Sequence, residues 1–140
     1  MVIPCASCEA PNRVPAARLG EKARCASCKS ALLPLTHPIT LRSAEEFDEL
    51  VSAAKAPVLV DFWASWCGPC QVVAPELAKM AGQRAGEVIV AKVDTDALPE
   101  VAGRFGIRSI PTFIAFRSGT ESGRVTGAMP ASSIASRLGL

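Results

Sequence analysis

The chain has little of several features that mark large classes of protein. It contains no tyrosine and a single histidine, and aromatic residues make up only 5% of its 140 residues. No stretch approaches the roughly 18 apolar residues of a membrane-spanning helix. The first residues also lack the basic segment and apolar run of a secretory signal. We therefore expect neither a membrane protein nor a protein exported by an ordinary signal.

Net charge is also low. It is formally +2, and basic residues are not interleaved with aromatic ones, so we expect no nucleic-acid or membrane partner. The composition, 49% hydrophobic and 20% charged, is typical of a folded globular protein. A chain of this length can form one good core and a small appendage. Basic residues outnumber acidic ones in residues 1–38 and are nearly balanced in the rest.

Cysteine is the abundant special residue, and four of the six cysteines form two early pairs. The sequence Cys-Ala-Ser-Cys occurs twice, with sixteen residues between the pairs. This spacing is typical of a four-cysteine zinc site, although two disulfides or an iron–sulfur cluster are alternatives. Without an export signal, metal binding is favoured over a disulfide framework. We predict one structural zinc ion with no open position for catalysis, held by Cys5, Cys8, Cys25 and Cys28.

Residues 1–36 are predicted to form this zinc-binding module and its linker, and residues 37–140 a second domain. The module is interrupted by Pro11, Pro15 and Gly20 and contains few large apolar residues. We expect the metal to replace a hydrophobic core, because structural zinc supplies on the order of 10–16 kcal/mol of binding free energy. Residues 32–38 contain two prolines and are predicted to join the two units.

The third pair, Cys67-Gly68-Pro69-Cys70, lies between a predicted buried strand at residues 58–63 and a predicted helix with apolar residues from Val72 to Met80. Cys67 would then stand at the helix N-terminus, where free N–H groups and the helix dipole stabilise a thiolate. Cys70, one turn later, is placed to attack a mixed disulfide. A zinc knuckle or a structural disulfide is the alternative, but the strand–helix setting favours redox chemistry.

Apolar periodicity predicts the remaining elements. They are a short strand at 39–41, a helix capped by Ser43 and Glu46, a strand at 87–93, a short helix at 98–105, a hairpin of 112–116 with 121–126, and a closing helix. The order β-α-β-α-β followed by β-β-α predicts an α/β fold, a central mixed sheet flanked by helices on both faces.

Residues 61–75, DFWASWCGPCQVVAP, resemble the active-site segment of the thioredoxin family. Further matches are Lys92-Val93-Asp94, residues 105–112 and Gly127-Ala128, so the resemblance covers residues 38–140. With the four earlier cysteines the whole chain is similar to the zinc-containing thioredoxin 2 type. Gln71 departs from the family pattern, which usually has a basic residue there. The resemblance implies the thioredoxin fold with a small zinc-ribbon-like module.

The resemblance also implies a protein-disulfide reductase that acts by thiol–disulfide exchange. Cys67 would attack, Cys70 would resolve, Asp61 would assist deprotonation of Cys70, and Lys92 would modulate the ionisation of Asp61. A raised pKa for Asp61 is expected from the residues alone, because a carboxylate in a buried strand is desolvated. The alternatives are an aspartate that caps a turn and an ordinary lysine at the end of a strand.

A cis peptide bond before Pro111, opposite the cysteines, is a further implication; a trans proline at the start of a strand is the alternative. A small, flat apolar patch for protein substrates is expected around the dithiol. It comprises Trp66, Gly68, Pro69, Ile110, Gly127 and Ala128.

The implied partners are disulfide-containing proteins and an NADPH-dependent thioredoxin reductase. We expect a cytoplasmic monomer that needs no organic cofactor. Two other functions compete with this interpretation. One is a disulfide oxidase or isomerase, and the other is a zinc-ribbon module that binds a partner and uses the second domain as a scaffold.

Overall fold

A computed structural model describes residues 1–140. The N-terminal module consists of two antiparallel hairpins with a short 3-10 helix (Ala16–Arg18) between them. Their strands are β1 (Val2–Pro4), β2 (Pro11–Arg13), β3 (Ala23–Arg24) and β4 (Ala31–Leu33). β4 begins one residue before the predicted linker and takes its first two positions. Each hairpin turn carries one of the early cysteine pairs.

The rest of the chain forms a five-stranded sheet and four helices. The strands are β5 (Ile39–Thr40), β6 (Val58–Trp63), β7 (Ile89–Asp94), β8 (Thr112–Arg117) and β9 (Thr120–Thr126). The helices are α1 (Ala44–Ala53), α2 (Gly68–Gln83), α3 (Pro99–Arg104) and α4 (Ala131–Leu138). The strand order is β5-β7-β6-β8-β9, with β5, β7 and β6 parallel and the other pairings antiparallel. No helix has both the length and the apolar character needed to cross a membrane.

Local signals place these elements within a residue or two of their predicted bounds. At the start of α1, Ser43 accepts a hydrogen bond from the Glu46 amide at 3.1 Å. The Glu46 carboxylate accepts one from the Arg42 amide at 3.3 Å. The predicted capping box therefore forms, with its return bond one residue early. β7 begins at Ile89, two residues later than predicted, because the two preceding amides donate to the Arg84 carbonyl after the end of α2.

β6 is the centre of the sheet, and residues 58–62 are buried without interruption. β7 pairs with it on one side and β8 on the other, so both of its faces must be covered. α1 and α3 cover one face and α2 and α4 the other. The end of β6 leads through a short loop into α2, and this connection carries the third cysteine pair. The predicted α/β architecture is confirmed.

The expectation that the N-terminal module lacks a hydrophobic core is wrong. Ile3 and Leu19 are each 1% exposed, and they belong to one continuous apolar cluster that includes Phe47 and Leu50 of α1. Leu33 and Leu35, in and beyond β4, are part of the same cluster. The module thus packs on the α1 face of the larger unit, and apolar contacts as well as any metal hold it in place.

Candidate functional site

The third cysteine pair lies at the N-terminus of α2, as predicted. Cys67 is the N-cap residue, and its Sγ accepts a hydrogen bond from the Cys70 amide at 3.2 Å. Cys67 and Cys70 are joined in a disulfide and each is 4% exposed. A sulfur in this position faces free N–H groups and the positive end of the helix dipole, which favour its thiolate form when the pair is reduced.

The segment before β8 lies directly opposite the cysteines. Ile110–Pro111 is a cis peptide bond, as predicted. The Ile110 carbonyl oxygen is 3.7 Å from Cys67 Sγ. Gly127 follows β9, has a positive φ of 102°, and donates its amide to the Pro111 carbonyl at 2.8 Å. The two loops are therefore fastened together beside the sulfurs.

The residues expected to form the substrate patch surround this point. Trp66 is 70% exposed, Gly68, Pro69 and Ala128 are also exposed, and Ile110 and Gly127 are half-buried. Trp66 Nε1 donates to Asp96 Oδ2 at 2.9 Å. No signal in the sequence points to Asp96, since it lies thirty residues away in the loop after β7. Its carboxylate fixes the orientation of the most exposed aromatic ring of the site.

Asp61, in the middle of β6, is 1% exposed, and neither of its carboxylate oxygens has a hydrogen-bond partner. It caps no turn, so that alternative is excluded. Burial raises the pKa of Asp61 from 3.8 to about 7, and the positive charge of Lys92 partly opposes the rise. A carboxyl group with such a pKa can hold or release a proton near neutral pH.

Lys92 occupies the position of β7 that pairs with Asp61. Its ammonium group does not bond the carboxylate; it lies over the ring of Trp63, 4.6 Å from the ring centroid. Trp63 is half-buried against the dithiol cluster, and its buried Nε1 has no partner. Lys92 thus acts on Asp61 through its charge and not through a direct contact.

The four early cysteines converge on one point between the two hairpin turns. Their sulfurs all lie within 4.8 Å of one another. Two of the separations, Cys5 Sγ to Cys28 Sγ and Cys8 Sγ to Cys25 Sγ, are 3.6 Å. Sulfurs in a tetrahedron about zinc, with Zn–S distances near 2.3 Å, would be about 3.8 Å apart. The cluster therefore fits a tetrahedral thiophilic ion.

Both turns have the same local design. The Glu9 amide donates to the Cys5 carbonyl at 2.8 Å and the Lys29 amide to the Cys25 carbonyl at 3.0 Å, and both donors have a positive φ. In each turn an amide two residues on points at the first sulfur at 3.4 Å. These repeated N–H···S contacts stabilise negative sulfur, as metal ligation requires.

Asn12 links the two turns and was not singled out from the sequence. Its side chain, 8% exposed, donates to the Ala10 carbonyl at 3.0 Å and lies 3.6 Å from Cys25 Sγ, while its oxygen accepts from the Ala26 amide at 3.0 Å. The Cys28 amide, together with Asn12, lowers the pKa of Cys25 to about 6.

The pKa of Cys8 moves the other way. Although the Ala10 amide lowers it, burial and the neighbouring cysteine sulfurs raise the pKa of Cys8 to about 12. Four sulfurs this close cannot all ionise without a cation among them, and a divalent ion removes that repulsion.

Two family models match the chain on either side of residue 36. The model described as "Thioredoxin" matches residues 38–139, and the model described as "Thioredoxin 2, N-terminal" matches residues 4–30, which include all four early cysteines.

Similar proteins cover most of the chain. Thioredoxin C-3 of Corynebacterium nephridii is 45% identical over 129 residues, which cover 92% of this chain and 87% of that protein. Thioredoxin 1 of Nostoc sp. is 47% identical over 92 residues, 66% of this chain and 86% of that one. The solved structure of Plasmodium falciparum thioredoxin superposes with a TM-score of 0.67 at 32% identity, covering 72% of this chain and 96% of that one. The chain belongs to the thioredoxin family and is a protein-disulfide reductase whose redox-active pair is Cys67 and Cys70.

Proposed function

We propose that Cys67 is the attacking thiol and Cys70 the resolving thiol of this reductase. The observation that carries the proposal is the N-cap position of Cys67. Its sulfur accepts a hydrogen bond from the Cys70 amide and faces the Ile110 carbonyl. The Cys67 thiolate attacks one sulfur of a substrate disulfide, a Cys67–substrate bond forms, and the other substrate sulfur leaves as a thiolate. Cys70 lies at the same helix end, but no backbone amide donates a hydrogen bond to its sulfur. We therefore assign the second step to Cys70.

In the second step Cys70 attacks the Cys67 sulfur. The mixed disulfide breaks, the second substrate sulfur leaves, and the Cys67–Cys70 disulfide forms. Two electrons pass from the protein to the substrate, and the two protons lost by the protein thiols end on the two substrate thiols. We assign Asp61 the role of accepting the Cys70 proton, since its pKa of about 7 suits transfer from a thiol at neutral pH. Lys92 keeps that pKa from rising further.

The segment opposite the dithiol is proposed to hold the substrate chain. Pro111 places the Ile110 carbonyl beside Cys67, and the amide of Gly127 fastens the second loop there. The surface is open and shallow, which suits flexible protein segments better than one small molecule. The residues proposed to contact substrate are Trp66, Gly68, Pro69, Ile110, Gly127 and Ala128.

The oxidised protein needs a donor of two electrons. Membership of the family supports an NADPH-dependent thioredoxin reductase in that role, and disulfide-containing proteins as substrates. We propose that the protein works as a monomer in the cytoplasm, because one chain supplies the whole site and a reducing compartment keeps the early cysteines available to metal. No organic cofactor takes part.

Cys5, Cys8, Cys25 and Cys28 are proposed to hold one structural zinc ion. Four thiolates complete a tetrahedral shell and leave no position for a catalytic water. Bound zinc would cross-link the two hairpin turns.

The separate family matches at residues 4–30 and 38–139 support a division into units 1–36 and 37–140.

Insulin-disulfide reduction tests the mechanism. Cys67→Ser should abolish turnover, while Cys70→Ser should still attack but stop at a mixed disulfide that mass spectrometry detects. Turnover by Cys67→Ser would overturn the assignment.

Running the intact protein with dithiothreitol and then with NADPH and thioredoxin reductase separates the chemistry from the partner. Activity only with dithiothreitol would refute the proposed reductase and leave the thiol roles intact.

A further inference from the structure

The N-terminal module contains a cleft that the dithiol chemistry does not use. It has a volume of about 310 Å³ and is lined by β2, β3, the 3-10 helix and the start of β4. Its lining includes no residue of the dithiol site and none of the four cysteines, although it includes Asn12 and Ala26, which bond each other between the two cysteine turns. Gly20, beside the cleft, lies against Gly86 before β7, whereas Cys67 follows the opposite end of β6. The cleft is therefore separate from the surface around the dithiol.

Positive charge is concentrated in this cleft. The basic residues of the module are Arg13, Arg18, Lys22, Arg24 and Lys29, and only Lys29 lies outside it. The single acidic residue of the lining, Glu21, is bound by Arg18 at 3.4 Å. Arg13, Lys22 and Arg24 have no acidic partner, and all three are exposed. Three uncompensated cations around one concave surface create a positive potential that attracts an anionic ligand.

The floor and one wall of the cleft suit an extended chain. Val14, Leu32 and Leu33 contribute apolar side chains at its base. β2 pairs only with β1. The N-terminal ammonium group of Met1 donates to the Val14 carbonyl at 3.0 Å, and the Val14 amide donates to the Met1 carbonyl at 2.9 Å. Since bonded pairs alternate along an antiparallel ladder, the amide and carbonyl of Arg13 point away from β1, toward an edge with no strand partner. Pro11 and Pro15 face the same edge and have no N–H, so Arg13 alone offers both a backbone donor and an acceptor there to an extended chain.

We propose that this cleft docks an extended, acidic segment of a partner protein. Alternate carboxylates of the segment would meet Arg13 and Arg24, and the residues between them would face the apolar floor. Residues 1–36 contain no aromatic side chain on which a base could stack, which argues against single-stranded nucleic acid. Inorganic phosphate would leave the apolar floor and the strand edge unused. The proposal does not depend on the dithiol mechanism.

Fluorescence anisotropy with a labelled peptide of alternating Glu and Val tests the proposal on the full zinc-loaded chain. Arg13→Gln with Arg24→Gln should weaken binding by about tenfold. The matched control neutralises two exposed cations elsewhere, Arg108→Gln with Arg137→Gln, and should bind as the parent does. A Gln–Val peptide should not bind. Amide shifts in an NMR titration should be confined to residues 12–14 and 21–26 and to the start of β4.

Several results would overturn the proposal. These are no binding of the acidic peptide, equal loss in both double variants, and amide shifts outside the cleft. Competition by inorganic phosphate or by a single-stranded oligonucleotide at equal or lower concentration would reassign the cleft to that class of ligand. Zinc content and the thermal unfolding midpoint of each variant must match those of the parent, which separates a lost contact from a lost fold.

Discussion

Asp61 and Lys92 occupy paired positions on the central parallel strands β6 and β7, yet no hydrogen bond joins them. The ammonium group of Lys92 lies over the Trp63 ring, and both oxygens of Asp61 are left buried without a partner. Burial therefore outweighs the attraction of the lysine, and the pKa of Asp61 is raised to about 7. A buried carboxylate without a hydrogen-bond partner lowers the stability of the fold.

This residue should make stability depend on pH. An aspartate whose pKa rises from 3.8 to about 7 on folding binds more protons in the native than in the unfolded state between those values. Stability should therefore fall as pH rises from about 4 to about 7. Asp61→Asn should remove this fall and be more stable than the parent at pH 8, by at most about 4 kcal/mol. Urea unfolding of the oxidised protein across this range measures the difference.

A surface aspartate supplies the control for that experiment. Asp48 on α1 is exposed and pairs with Arg104 at 2.6 Å. Asp48→Asn removes an exposed carboxylate and leaves Asp61 in place. It should therefore change stability little and keep the parent's loss of stability toward pH 7. If Asp61→Asn showed that same loss, the buried carboxylate would not be its cause.

Lys92 can be tested through the same carboxylate. Its charge lowers the pKa of Asp61, so Lys92→Met should raise that pKa above its present value of about 7. The carboxyl carbon of Asp61 can be followed directly by NMR during a pH titration. Lys79→Met, which removes an exposed lysine near Glu76 on α2, is the matched control and should leave the Asp61 titration unchanged. An unchanged pKa in Lys92→Met would refute the electrostatic role.

Local patterns in the sequence were sufficient to predict most of the fold. The uninterrupted apolar run of β6 and the helical spacing after Cys67 together place the dithiol at a helix N-terminus, because both signals span only neighbouring residues. The two early Cys-x-x-Cys pairs likewise predict that their four sulfurs meet at one metal ion, because each pair has the ligand spacing of a short metal-binding turn.

Partners distant in sequence could not be predicted in this way. Leu33 and Leu35 stand among prolines in a segment with the composition of a linker, and only the fold shows that they pack with α1. The bond from Trp66 to Asp96 and the bridge from Asn12 to Ala26 join separate elements, and no periodic signal connects their ends. Burial across such distances depends on tertiary packing.

The shared core predicts that metal removal will affect α1. Chelation should open the two hairpin turns and loosen Leu19 and Leu33, which pack in the same cluster as Leu50. Hydrogen exchange should then rise at α1 amides and stay unchanged in α4, which packs on the other face of the sheet. Restoring zinc should reverse the change. Unaltered exchange in α1 after complete metal loss would show that the module and the domain are independent.

Asn12 should matter for metal affinity although it is not a proposed ligand. Asn12→Ala removes both the donor near Cys25 and the acceptor of the Ala26 amide, and about a 10- to 100-fold loss in zinc affinity is expected. Asn12→Asp keeps the acceptor but puts negative charge near Cys25 Sγ, so its loss should be larger. Competition with a chromogenic chelator measures both affinities. Ser7→Ala is the control, because only the backbone amide of Ser7 contacts a sulfur. Equal affinities for Asn12→Ala and Ser7→Ala would exclude the bridging role.

The bond between Trp66 and Asp96 should contribute to substrate binding by holding an exposed ring in place. Asp96→Ala leaves the sulfurs and the ring intact but frees the indole, so the KM for insulin should rise about fivefold, with kcat little changed. Trp66→Phe keeps an aromatic ring that cannot donate to Asp96. In that background Asp96→Ala should have no further effect, because the interaction it breaks is already absent. If Asp96→Ala raised the KM of the Trp66→Phe variant as much as it raises that of the parent, Asp96 would act on the substrate itself and not through Trp66.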